Sequence, residues 1–235
     1  MNPSTTQAKP RRVRAMFARI APRYDVMNRL MTAGQDLRWR REVIHRAALQ
    51  PHQRLLDLGA GTGDLAYEAI RQQPLCRPVA GDFTLEMMQV GRQRPWGQRI
   101  LWTGADALHL PFPNGHFDAV VSGFLLRNVA DLDRALREQY RVLKPGGRWV
   151  ALDTTPPRHN LLWPFIQLHF RLVIPLLGTV LAGDPAAYQY LPNSTTQFLP
   201  AEALAQRVEA VGFRQVGFRR RMFGTIAIHW AVKPA

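Results

Sequence analysis

Short apolar stretches alternate with amphipathic ones along most of this chain. Residues 55–58, 78–82, 100–107, 117–123 and 148–153 read as strands, and 65–72, 84–93 and 132–143 read as helices. The strands are nearly continuous hydrophobic runs, which is the pattern of a parallel sheet covered on both faces by helices. The alternation therefore predicts an α/β fold whose ligand sits at the carboxyl edge of the strands. After the helix at 132–143, Pro145 is expected to stop the helix, and Gly146 and Gly147 to turn the chain into the fifth strand.

Candidate chemistry gathers at those strand ends. Leu55-Leu56-Asp57-Leu58 runs straight into Gly59-Ala60-Gly61-Thr62-Gly63-Asp64. Alternating glycines allow a tight turn and a close approach of backbone to ligand, and Asp64 stands where it can cap the next helix. The Asp57 carboxylate repels a pyrophosphate and attracts an ammonium group, so the turn favours a cationic nucleoside. The dinucleotide spacing G-x-G-x-x-G and the phosphate loop ending in Gly-Lys-Ser/Thr are both absent. Asp82 ends the second strand about twenty residues past the glycines, where an acid reaches ribose hydroxyls; capping of the following helix is its other use. Asp106 and Ala107 end the third strand, Gly123 ends the fourth, and Asp106 can accept from an exocyclic amine.

Composition narrows the class without choosing a partner. With 235 residues, 46% of them hydrophobic, the chain is sized for one compact domain. The lone Cys76 excludes an intramolecular disulfide framework and residues 1–10 hold no apolar leader, so a cytoplasmic location is expected. Thirty-one basic against seventeen acidic side chains give +14, clustered at Lys9–Arg14, Arg38–Arg41 and Arg219–Arg221. Nucleic acid, anionic lipid and plain solvated faces all accommodate such charge. The seven histidines are scattered without paired metal-ligand spacing, so no metal is expected.

The glycine turn with its strand-end acids resembles the first motifs of class I S-adenosylmethionine-dependent methyltransferases. A more specific resemblance lies before it. Tyr24-Asp25-Val26-Met27-Asn28, with Trp39 downstream, is similar to the amino-terminal signature of the ubiquinone/menaquinone biosynthesis C-methyltransferase family. Arg141-Val142-Leu143-Lys144-Pro145-Gly146-Gly147 resembles that family's second signature, and Leu126-Arg127-Asn128-Val129 its segment after the fourth strand. Counterparts continue through Ile174–Gly178, Tyr188–Leu191 and Gly224–His229, so Phe17 to Lys233 is covered. Departures are Gln35-Asp36-Leu37, where the family usually shows a histidine, Asp153-Thr154-Thr155 in place of Glu-x-Ser, and Gly123, which is serine in some members.

The resemblance implies a Rossmann-like, mostly parallel seven-stranded sheet with an apolar helical cap. It divides the chain into basic lid helices at 1–50 and a cofactor-binding domain at 51–235, with a substrate-cap insertion at 158–198. It also implies S-adenosylmethionine held by Asp57, Gly59, Gly61, Thr62, Gly63, Asp82, Asp106, Ala107 and Gly123, and a reduced polyprenyl quinone as methyl acceptor. Residues 160–182 are densely apolar but are interrupted by Pro164, Gln167, His169, Arg171 and Pro175. A lid for a polyprenyl tail therefore fits better than a membrane span, with ordinary core helices as the alternative.

Carbon methylation needs an aligned nucleophile, exclusion of water and a path for the ring proton. Arg127 and Asn128 follow strand four on the edge where chemistry is expected. An arginine stays protonated, so Arg127 is assigned to stabilising a phenolate, Asn128 to holding the hydroxyl or a water, and Tyr24, by resemblance, to the lid side. Asp25 or Asn28 helps close that lid. Pairing of Arg127 with Asp131 or Asp133 is the structural alternative. An anionic membrane surface and a homodimer remain open as partners. Nucleic acid is disfavoured, because Gly123-Phe124-Leu125-Leu126 replaces the Asn/Asp-Pro-Pro-aromatic turn of amine-methylating enzymes and Cys76 lies away from strand four.

Overall fold

The computed structural model describes residues 15–156 and 198–235. Residues 15–20 are helical and lead through a 3-10 turn, Ala21–Arg23, into α1 (Tyr24–Met31) and α2 (Gln35–Ala47). There follow β1 (Arg54–Leu58), α3 (Asp64–Gln72), β2 (Arg77–Asp82), α4 (Leu85–Arg92), β3 (Leu101–Gly104) and β4 (Phe117–Gly123). The chain continues through α5 (Leu132–Val142), β5 (Leu143–Thr154), α6 (Ala201–Val211), β6 (Arg214–Arg221) and β7 (Ile226–Val232). The expected cap at 158–198 and the family-like stretches at 174–178 and 188–191 lie, apart from Phe198, outside the described residues.

The seven strands form one sheet in the order β3-β2-β1-β4-β5-β7-β6. Strands β1 to β5 are mutually parallel where they pair, and β7 runs antiparallel to both β5 and β6. The α/β, mostly parallel, seven-stranded expectation holds. The chain steps outward from β1 to β3 and then returns to pair β4 on the other side of β1. That reversal opens a crevice beyond the carboxyl ends of β1 and β4.

Both faces of the sheet are covered. Leu55 of β1 packs with α2 and α3 through Trp39, Val43, Ile44 and Ile70, whereas Leu56 packs on the opposite side with Leu136, Trp149 and Leu204. Successive strand residues serve opposite cores, which is why the apolar runs do not alternate. Helix α2 thus belongs to the sheet's core, although it lies in the expected lid region. Helix α5 ends at Val142, ahead of Pro145, because Leu143 is already extended and pairs with Phe117.

Gly63 precedes α3 with φ +82°, and a Cβ there would sit 2.6 Å from Cη2 of the buried Trp102. Gly63→Ala is expected to cost about 2 kcal/mol or more, the left-handed penalty plus overpacking. A urea titration checks this through the midpoint.

Candidate active site

The glycine turn is a backbone device pinned by buried acids. Gly59, Gly61 and Gly63 have φ of +67°, +56° and +82°, a region that side chains with a Cβ avoid. The N–H groups of Gly59 and Ala60 donate to the Gly81 carbonyl at 2.8 and 3.2 Å, tying the turn to β2. Asp82, 9% exposed, accepts from the Gly61 N–H on Oδ2 at 2.7 Å and from the Thr84 N–H on Oδ1 at 2.6 Å. Burial pushes its pKa upward, opposed by those backbone donors.

The expected cap of α3 is corrected. Asp64 makes no capping hydrogen bond; Asp57 reaches up from β1, and its Oδ2 accepts from the Ala66 N–H at 3.0 Å. This follows from alternation in β1, which points Asp57 to the same face as Leu55, beneath the start of α3. The other oxygen, Oδ1, is buried and has no hydrogen-bond partner among the described residues.

Burial raises the Asp57 pKa to about 7, with the nearby Asp82 and Asp64 adding to the effect. An unfolded aspartate loses its proton near about pH 3.9, so the folded chain binds more protons between the two values and stability falls as pH rises through that window. Asp57→Asn keeps an acceptor for Ala66. It is expected to flatten that slope, on the order of 1 kcal/mol per pH unit, in urea titrations at successive pH values without donor.

The crevice holds about 970 Å³ of atom-free space, part of it open to solvent. Of the expected residues, it is lined by Tyr24, Gly59, Gly61, Asp82, Asp106, Ala107, Gly123 and Asn128, set among apolar Phe83, Met87, Leu108 and Leu125. Asp57 and Thr62 line a smaller space behind the turn, and Gly63 and Arg127 line neither. Asp106 and Ala107 do not end a strand, since β3 stops at Gly104. There the Ala105 N–H donates to the Asp82 carbonyl, and Asp106 folds the chain by accepting from the Leu108 N–H at 2.9 Å.

Helix α1 is fastened to the turn. Thr62, expected at the cofactor, donates its hydroxyl to Asp25 Oδ1 at 2.8 Å, joining the glycine turn to α1. Arg94 joins Asp25 to Asp64, pairing with Asp64 at 2.6 Å, and Arg40 Nε lies 3.3 Å from the same carboxylate. Asp64 therefore gathers Arg29 of α1, Arg40 of α2 and Arg94 after α4. Tyr24 opens α1 with its ring edge-on to Phe17 at 5.7 Å.

Arg127 is held by neither Asp131 nor Asp133. Asp131 caps α5 by accepting from the Arg134 N–H, and Asp133 pairs with Arg207. The partner is Asp153 at the end of β5. Its Oδ1 accepts from Arg127 Nη1 at 2.6 Å and its Oδ2 from the Arg127 backbone N–H at 3.3 Å, with both side chains almost fully buried. Among the described residues Arg127 Nε has no hydrogen-bond partner. Phe124, just past β4, adopts a left-handed φ of 60°, and its carbonyl accepts from Asn128 Nδ2 at 2.9 Å. Such backbone strain clusters at functional sites. Sequence reasoning missed Asp153, Arg94 and the strain at Phe124. The departure at Asp153-Thr154-Thr155 was the only signal toward the first.

A profile of the ubiE/COQ5 methyltransferase family matches residues 5–233. The ubiquinone/menaquinone biosynthesis C-methyltransferase UbiE of Desulfotalea psychrophila is 50% identical over 94% of this chain and 90% of its own. The demethylmenaquinone methyltransferase of Thermus thermophilus is 43% identical over 93% of this chain and 100% of its own. Among solved structures, phosphoethanolamine N-methyltransferase 2 of Haemonchus contortus, in complex with S-adenosyl-L-methionine, superposes with TM-score 0.65 at 16% identity. The match covers 84% of this chain and 53% of that one. The [4+2]-cyclase SpnF superposes with TM-score 0.64 at 21% identity over 85% and 81%. These structural likenesses show the fold alone.

Proposed function

The chain belongs to the ubiE/COQ5 methyltransferase family, and we propose that it methylates a ring carbon of a reduced polyprenyl demethylquinone with S-adenosylmethionine as donor. The observation that carries this reading is the crevice at the β1/β4 reversal, an apolar chamber interrupted by Asp82, Asp106, Tyr24 and Asn128.

The residues fit the nucleoside part of the donor. Ribose hydroxyls and an exocyclic amine are hydrogen-bond donors, and the carboxylates of Asp82 and Asp106 keep lone pairs beyond their backbone bonds. At Gly61 a Cβ would lie 3.1 Å from Met87 Cε, so glycine keeps that wall open. When bound, S-adenosylmethionine supplies an electrophilic methyl group on a sulfonium centre. Gly59, Gly61, Ala107 and Gly123 shape the cradle, with Asp57, Thr62 and Gly63 supporting the turn from behind.

A hydroquinone carbon becomes nucleophilic as the neighbouring hydroxyl loses its proton, so a group that stabilises the phenolate accelerates attack. Tyr24 and Asn128 orient that hydroxyl from the crevice wall. Arg127 cannot serve as a base. It supplies positive charge from behind the crevice wall, and its Nε–H, without a hydrogen-bond partner among the described residues, remains for a water that bridges to the acceptor. The apolar walls exclude competing water.

The test is incubation with methyl-labelled donor, reduced demethylated naphthoquinones and benzoquinones, and RNA as control. Label on a quinone ring carbon is the expected result; label in RNA, or in no quinol, contradicts it.

A further inference from the structure

The lid has a second face. On α1, Tyr24 lines the crevice and Met27 is buried, while Val26 and Leu30, one turn apart, are 62% and 45% exposed. On helix α2, which follows, Leu37, Arg38, Arg41 and His45 are exposed, its other side being buried in the core. Arg38 and Arg41 form no ion pair among the described residues. Two clefts adjoin along Arg41 and Arg71, and together seven arginines and three carboxylates line them. Beside the lid, α4 packs against Ala21–Arg23, and at its start Phe83 and Leu85 are 47% and 50% exposed. Phe83 also lines the crevice.

Single exposed apolar residues need no explanation, but here they lie on the elements that supply Tyr24 and Phe83 to the apolar crevice, with excess cationic charge on the adjoining α2. Helices with an apolar outer stripe and arginines beside it lie in the interface of anionic bilayers. Among the described residues no helix is long and apolar enough to cross a membrane.

We propose that the outer face of α1 and α2, with the Phe83–Leu85 rim, docks on an anionic phospholipid bilayer. Val26 and Leu30 enter the interface, and Arg38 and Arg41 meet headgroup phosphates. A lipophilic acceptor then passes from lipid to crevice without crossing water. This rests on the acceptor class proposed above and adds the surface through which it arrives.

The test uses the full chain and a triple variant, Leu30→Asp with Arg38→Glu and Arg41→Glu, none of which lines the crevice. Both are sedimented with phosphatidylcholine vesicles with and without phosphatidylglycerol, and assayed on a short-tailed, water-soluble acceptor. Salt-sensitive binding to the anionic vesicles alone is expected, weakened roughly 50-fold in the variant with turnover of the soluble acceptor unchanged. Equal binding to neutral vesicles, variant binding at the wild-type level, or a homodimer that the variant dissolves overturns the proposal. Lack of turnover on the soluble acceptor by the wild-type chain overturns the proposed function instead, while vesicle binding alone decides the docking face.

Discussion

Asp82→Ala is expected to weaken S-adenosylmethionine binding roughly 100-fold, the loss of charge-assisted hydrogen bonds of about 1.5–3 kcal/mol each. The effect is compounded because Asp82 also builds the cradle. Its two oxygens hold the Gly61 and Thr84 N–H groups, and both donors lose their partner when the carboxylate is removed. Asp82→Asn is a poor rescue, since its amide NH₂ would face one of two N–H donors. Calorimetric titration of donor gives the affinity, and turnover at saturating donor is expected to stay within a few-fold of wild type. Unchanged affinity would remove Asp82 from the donor site.

Arg127→Ala is expected to do the reverse, leaving donor affinity near wild type and lowering turnover about 100- to 1000-fold, the range for removing one donor to a developing oxyanion. It also leaves Asp153 as an unpaired buried charge, at a cost of about 3–5 kcal/mol in stability. Stability and chemistry are separable through Arg127→Met with Asp153→Asn, which removes both charges. The double variant is expected to recover most of the stability, read by urea titration, and none of the turnover. Recovered turnover would make Arg127 a purely structural ion-pair partner. Lost donor affinity with unchanged turnover at saturation would place it at the donor instead.

The sheet was legible because its strands are buried on both faces and their apolar runs stand out between amphipathic helices. The crevice was legible for the same reason: Asp82 and Gly123 end their strands, and the reversal at β4 brings those ends together. Side-chain traffic across elements was not. Asp57 serves as a cap only because β1 points it under α3, and Thr62 bonds to Asp25 only because α1 folds over the turn. Arg127 and Asp153 are 26 positions apart and meet through the parallel pairing of β4 with β5, which places Gly123 opposite Leu152. No local pattern encodes such a pairing. The run past Gly104 reads as more strand and carries Asp106 with it, whereas the Asp106 side chain closes a turn there.

A crystal structure with S-adenosylmethionine soaked in decides where the donor binds. The donor is expected against Gly59 and Gly61, with the Asp82 and Asp106 carboxylates on its nucleoside and the remaining apolar space left for the acceptor ring. Donor density elsewhere, or a crevice blocked at full soaking concentration, would contradict it.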